Sequence, residues 1–329
     1  MRRLLIDDNI RGFAIRYQSQ METAYPNVIS DIECLKDNLV KYNSWKDSNG
    51  IKDYFNEIIS DYPALLALEP NDWDIQKYMD LEKKNPGFLK RTVKYGEVKK
   101  THKDLTDSVY KRILFCLRYS EARLILGPIH REMGLKTCVY CNTQNAESAE
   151  NEVFYEMDHL MAQSDYPFLG TCFYNLQPCD GGCNKRKQTK PCDFQLYVNN
   201  SVTDLSPFKL KAYFQNIGPV TSMCDKILFL GKNGITTSES EAYDRTFHIT
   251  KKYESHRDEA AIICKKACTL NQSGIDAYEA SIGYRPSREQ YIDYIIGIPF
   301  DESLIHGAPL RKLKYDILSD LDNSGVIKI

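Results

Sequence analysis

Apolar residues recur mostly at helical spacing along this chain. Between positions 31 and 42, Ile32, Cys34, Leu35, Leu39 and Val40 share one stripe, and residues 51–62 do much the same. The same spacing predicts a helix through Tyr110, Ile113, Leu114 and Leu117, opened by Thr106 or Asp107. It also predicts helices over 206–215 and 239–270, the second carrying Phe247, Ile249, Tyr253, Ala260, Ile263 and Cys264. Further short elements follow over 292–298 and 310–321. A two-residue alternation stands out at Val153, Tyr155 and Met157 against Phe154 and Glu156, as in a short strand that delivers Asp158 and His159 at its end. Residues 131–195 contain Gly134, Gly170, Gly181 and Gly182 and read as loop-rich, with a helix opening near Cys183 and running toward Lys190. The fold expected is α+β and mostly helical: a helical lobe over 1–130, a small module over 131–195 and a second helical lobe over 196–329.

Charge adds local detail. The formal net charge is −2 over 329 residues, so any nucleic-acid surface must be a patch. Residues 1–82 read as an acidic helical scaffold. Residues 83–123 hold twelve Lys and Arg against four Asp and Glu, with turns at Pro86-Gly87 and Tyr95-Gly96, and Lys99, Lys100 and Lys103 sit inside this basic stretch. The module over 131–195 is itself acidic, with nine acids against six bases. The opening Met1-Arg2-Arg3-Leu4-Leu5-Ile6-Asp7-Asp8 has too short an apolar run for a signal-peptide core, and no stretch approaches the roughly 18 apolar residues of a membrane span. A soluble, cytoplasmic protein without a membrane partner is expected.

Eleven cysteines in such a protein point to metal binding rather than disulfides, and six of them fall between Cys138 and Cys192. Cys138-Val-Tyr-Cys141 has the spacing that lets two thiolates meet one tetrahedral zinc. Cys179 and Cys183 supply a second pair, which makes Cys138, Cys141, Cys179 and Cys183 the expected ligand set. The pair is spaced C-x-x-x-C; the other ways to complete the site are Asp180 as an oxygen ligand, or Cys172 or Cys192. Gly181-Gly182 permits an unusual backbone path, which favours Cys179.

The order Cys-x-x-Cys, Asp158-His159, Asn175-Leu-x-Pro, Cys183-Asn184-x-x-Lys187 resembles the ββα-metal fold of HNH endonucleases, in their zinc-knuckle subgroup. The likeness covers about 55 residues, with weaker likeness at Phe247–His256 and Lys312–Asp316. Some proteins of this subgroup belong to bacterial anti-phage defence loci, Septu-type systems included, where an ATPase accompanies the nuclease. The resemblance implies a catalytic site of Asp158, His159, Asn175 and Asn184. His159 would be the general base, Asp158 and Asn184 would hold one Mg²⁺ or Mn²⁺, and Asn175 would tie the connecting loop and orient His159. Many members have His where this chain has Asn184, and most have the first cysteine of the second knuckle at position 180, where this chain has Asp180.

The activity expected is metal-dependent hydrolysis of DNA, with a structural Zn²⁺ and an ATPase as partner. Lys185, Arg186, Lys187 and Lys190 would meet phosphate, and Lys99, Lys100 and Lys103 would guide the backbone. RNA cleavage remains open, because the phosphate is common to both. A zinc ribbon without catalysis is the other alternative, but it has no use for Asp158, His159 and Asn184 together. His102, His130 and His306 read as surface or packing residues, His248 and His256 as structural neighbours eight apart on one helix, and Cys264 and Cys268 as core.

Overall fold

Helices begin where a short polar side chain can take up the first free amides. Asp7 accepts from the amide of Ile10, Asp47 from Asn49 and Asp74 from Lys77. The computed structural model describes residues 1–93, 107–149, 152–190, 192, 194–232 and 234–327. In chain order its elements are β1 (Leu4–Leu5), α1 (Asp8–Ala24), α2 (Val28–Tyr42), α3 (Ser48–Leu65), α4 (Ile75–Glu82), α5 (Val109–Cys116), α6 (Tyr119–Glu132), β2 (Ser148–Ala149), β3 (Glu152–Val153), β4 (Glu156–His159), β5 (Leu176–Cys179), α7 (Gly181–Lys187), β6 (Tyr197–Val198), β7 (Phe208–Asn216), β8 (Met223–Gly231), α8 (Thr237–Phe247), α9 (Ile249–Glu254), α10 (Arg257–Ala267), α11 (Gln272–Ile282), α12 (Arg288–Ile296) and α13 (Arg311–Asn323). The architecture is α+β, mostly helical, with four two-stranded sheets among the described residues. No helix among them is long and apolar enough to cross a membrane.

The first helices pack as their spacing predicts. Ile32, Leu35 and Leu39 of α2 and Ile51, Phe55 and Ile58 of α3 are buried, and α2 lies against α3 and α5. Cys34 is exposed rather than part of that face. The helix expected through Tyr110 opens at Ser108, which makes no side-chain cap bond; Thr106 lies outside the described residues. Gly87 takes the left-handed backbone of the expected turn (φ 75°), and Gly96 lies outside the described residues.

Two expectations beyond residue 200 are corrected. Residues 206–215 do not form a helix; Phe208–Asn216 is a strand paired antiparallel with Met223–Gly231. The reason is visible in the pattern: Phe208 and Leu210 are buried and Lys209 and Lys211 less so, a two-residue period that fits a half-buried strand. Residues 239–270 form three helices instead of one. His248 stands in a left-handed conformation (φ 53°) between α8 and α9, and Asp244 accepts from the amide of Thr250 across that break. His248 and His256 therefore do not share a helix face.

The ribbon β7–β8 packs against α8, α10 and α13, and Asp316 of α13 accepts from the Leu210 amide at 2.8 Å while its other oxygen meets Lys312 at 2.7 Å. Near the chain's start, β1 runs parallel to β6, with Leu4 opposite Tyr197. The predicted strand over 153–157 is broken in two: Glu152–Val153 pairs back on Ser148–Ala149, and Glu156–His159 begins again with new partners.

Candidate functional site

The centre of the 131–195 segment is a strand pair followed at once by a helix. β4 and β5 are antiparallel, with Glu156 opposite Cys179, Asp158 opposite Gln177 and His159 opposite Leu176. Strand alternation sets Glu156, Asp158, Gln177 and Cys179 on one face and Met157, His159, Leu176 and Pro178 on the other. Asp180 then caps α7, its Oδ1 accepting from the amides of Gly182 (2.8 Å) and Cys183 (3.0 Å).

Cys138 and Cys141 lie in a tight turn whose Val139 amide donates to the Pro178 carbonyl at 3.1 Å, which docks the turn on β5. Ligand atoms of Cys138, Cys141, Asp180 and Cys183 all lie within 4.8 Å of one another, and this set can hold a metal such as zinc. The donor chemistry fits: three soft thiols and one carboxylate, with Asp180 Oδ2 3.4 Å from Cys141 Sγ. Lys252 sits against the cluster, its Nζ 3.0 Å from Cys183 Sγ and 3.4 Å from Asp180 Oδ2. Burial opposes that ammonium, but Cys141, Cys183 and Asp180 hold its pKa above the usual lysine value. A cation is what an anionic metal–thiolate centre calls for.

The expected ligand set is corrected at one position. Cys179 is not in the cluster: as the last residue of β5 it turns its Sγ to the Glu156 carbonyl at 3.4 Å, fully buried. Asp180, one residue further and already outside the strand, takes its place and keeps the x-x spacing to Cys183. The unusual backbone path expected at Gly181-Gly182 is not needed; both residues are ordinary first-turn positions of α7. Cys172 is turned to the Leu68 carbonyl, and Cys192 is not part of the set.

At the end of β4, Asp158, His159 and Asn184 share the wall of one cavity of about 220 Å³ with Tyr110, Tyr119 and Gln188. His159 is buried under the Tyr119 ring (4.8 Å between centroids), and one of its nitrogens, Nε2, lies 2.9 Å from the Gly170 carbonyl. Only an N–H can meet that oxygen, so Nδ1 carries the lone pair. Burial lowers the His159 pKa to about 4, with Lys187 acting in the same direction, so the ring is neutral at neutral pH. Asn175 is fully buried and ties the loop after β4: its Oδ1 accepts from the Met161 amide (2.7 Å), and its Nδ2 donates to the Leu169 (3.0 Å) and Met161 (3.3 Å) carbonyls. Leu169 is the neighbour of Gly170, so Asn175 holds the segment that orients His159.

Asp158 is almost wholly buried. Its Oδ2 accepts from the Tyr140 hydroxyl and pairs with the Lys187 ammonium at 2.8 Å. Burial raises its pKa, and Lys187 and Tyr140 oppose that rise. The Asn184 Nδ2 donates to Glu156 at 2.5 Å, which leaves the amide oxygen as the free acceptor. Asp158 and Asn184, both oxygen-bearing, thus line one cavity.

Of the expected phosphate contacts, Lys185, Arg186 and Lys190 are exposed on or just beyond α7. Lys187 is corrected: it is 1% exposed and belongs to the interior, bridging Asp158 and the His159 carbonyl (2.8 Å). Lys99, Lys100, Lys103 and His102 lie outside the described residues. His130 and His306 are buried packing residues bonded to the Tyr155 hydroxyl and the Arg2 carbonyl. Cys264 is buried and Cys268 half-buried on α10 and its cap. Sequence reading missed Tyr140, Glu156, Gly170 and Lys252. Tyr140 lies inside the C-x-x-C turn and Lys252 inside the Phe247–His256 stretch, but nothing in spacing says which way either side chain points.

No protein-family model matches the chain, and neither the curated proteins nor the solved structures contain a match.

Proposed function

We propose that this chain is a metal-dependent endonuclease of the HNH type, cutting DNA, with Cys138, Cys141, Asp180 and Cys183 holding a structural zinc. The observation that carries this reading is the convergence of Asp158, His159 and Asn184 on one cavity, with the His159 tautomer fixed by Gly170. A zinc ribbon has no need of a buried histidine held in one tautomer. Nδ1 of neutral His159 takes the proton of a water attacking the phosphodiester, and the phosphate's negative charge favours the imidazolium so formed. Asp158 and the Asn184 oxygen would hold a Mg²⁺ or Mn²⁺, which would supply charge for the phosphate and the leaving oxygen. Asn175 keeps the Gly170 carbonyl on Nε2, and Lys185, Arg186 and Lys190 steer phosphate from the exposed side of α7. The resemblance to defence nucleases extends the proposal to a partner ATPase in phage defence.

The test is incubation of purified protein with plasmid, single-stranded DNA and RNA, with Mg²⁺, with Mn²⁺ and with neither. Metal-dependent cutting of DNA is expected, with a loss of roughly 100-fold or more in His159→Ala at unchanged zinc content. Cutting that His159→Ala and Asp158→Ala leave intact sinks the mechanism, and cutting confined to RNA moves the substrate.

A further inference from the structure

Lys187 is the least expected member of the cavity region. A side chain that reads as a phosphate contact is instead 1% exposed and paired with a carboxylate that is 4% exposed. Buried ion pairs of this kind seldom stabilise a fold more than apolar residues of the same volume would. Fold stability is therefore a weak reason for an ammonium here, and the identity of its partner suggests a better one. Asp158 is the carboxylate read above as the divalent-cation ligand, and the inference rests on that reading. The Tyr140 hydroxyl and the Lys187 ammonium both sit on the same oxygen, Oδ2. Without Lys187, a metal-free Asp158 would be a buried charge with one neutral donor. With it, the buried carboxylate has a cation 2.8 Å away, in the role a bound metal would otherwise fill. The ammonium has a second acceptor, the His159 carbonyl at 2.8 Å, and Lys187 is the last residue of α7, next in sequence to Gln188, which lines the cavity.

We infer that Lys187 is an exchangeable counter-ion for Asp158: its ammonium balances the carboxylate while no metal is bound and is displaced when a divalent cation enters. Two cations on one buried carboxylate repel each other strongly. Entry of the metal therefore carries the cost of moving Lys187, and that cost weakens metal affinity in the resting protein. The displaced ammonium remains within α7's reach of the cavity, where a phosphate oxygen is the natural new partner. The same residue thus holds the apo site together and becomes a phosphate contact only once metal is present.

The probe is Mn²⁺, followed by the electron-paramagnetic-resonance signal of the free ion at pH 8, on the full zinc-loaded chain without nucleic acid. Lys187→Met is expected to bind Mn²⁺ tighter than the unaltered chain by roughly tenfold or more, and Asp158→Asn to lose the site. Equal or weaker binding by Lys187→Met overturns the exchange. A second readout needs no variant: acylation of lysines by an amine-reactive ester, mapped by mass spectrometry. Lys187 should be protected without Mn²⁺ and labelled with it, while Lys185 and Lys190 label in both. Protection that persists at saturating Mn²⁺ overturns the exchange and leaves Asp158 a metal ligand. Absence of any Mn²⁺ binding, in the unaltered chain and in Lys187→Met alike, overturns the metal reading of Asp158 itself.

Discussion

Asp180 does two jobs with its two oxygens. Oδ1 caps α7, and Oδ2 faces the three thiols, so the metal centre and the helix bearing Asn184 and Lys187 share one side chain. Asp180→Ala should lower zinc content per chain and, through loss of the cap, cost about 1 kcal/mol besides. Cys179→Ala should leave zinc stoichiometry unchanged, since its thiol faces a backbone carbonyl. Elemental analysis of the two purified variants decides between the positions, and the reverse result returns Cys179 to the site. Residue types in order were enough to bring Asp158, His159, Asn175 and Asn184 to notice. The choice between Cys179 and Asp180 was not legible, because it depends on which residue is the last in β5. Lys187 was misread for a related reason: its partner Asp158 lies on another element, and charge in a sequence looks like charge on a surface.

Among the elements, the loop between β4 and β5 governs the site most directly. Gly170 packs so closely that a Cβ there would meet Leu114 Cδ2 at 2.2 Å and the Pro167 carbonyl at 2.9 Å. Its carbonyl is the anchor of His159 Nε2. Gly170→Ala should therefore shift the anchor, and activity should fall by roughly 100-fold, as misplacement of a catalytic group by about 1 Å can cause. Zinc content should hold, because Gly170 touches none of the four metal-site residues. Full activity in this variant would show that the Gly170 bond does not position the ring. Long helical stripes such as 31–42 were legible because the apolar pattern repeats its period several times. The β7–β8 ribbon was misread: Phe208, Leu210 and Ala212 recur every second residue, but Phe208 and Ala212 alone also fit an i, i+4 helical spacing, and the pairing with β8 decides for the strand. The break at His248 depends on a left-handed backbone at a non-glycine residue, for which the sequence carries no clear mark.

At the scale of the whole molecule, the metal turn is gripped from the C-terminal side. The Tyr243 and Tyr253 hydroxyls donate to the Tyr140 and Cys141 carbonyls, each at 2.8 Å. Asn142 donates to the Ile305 carbonyl and accepts from the Lys312 amide. Stripping the metal with a chelator should therefore speed limited proteolysis across residues 237–323 as well as in the module; acceleration confined to 138–183 would show that the grip does not transmit. Acid should loosen the molecule too. His130, His159 and His306 are buried, and burial lowers their pKa values to about 3, about 4 and about 3 from an ordinary 6.5. A group with a depressed folded-state pKa favours folding fully above its unfolded value and loses that contribution as pH falls. Stability should hold above pH 6.5 and decline below it, by up to about 1.4 kcal/mol per pH unit for each histidine. Denaturant titrations from pH 7.5 to 4.5 measure the slope, and His130→Gln should flatten it by one share; an unchanged slope in that variant would remove His130 from the account.

Three sulfurs and one oxygen also give the metal turn a colour of its own once the metal is exchanged. Zn²⁺ has a filled d shell and is optically silent. Co²⁺ among the same donors absorbs, and its sulfur-to-metal band deepens with each thiolate it touches. This chain should therefore give a paler near-ultraviolet band than a four-cysteine knuckle, and Asp180→Cys should darken it, so that a spectrum of the folded protein counts its sulfurs directly.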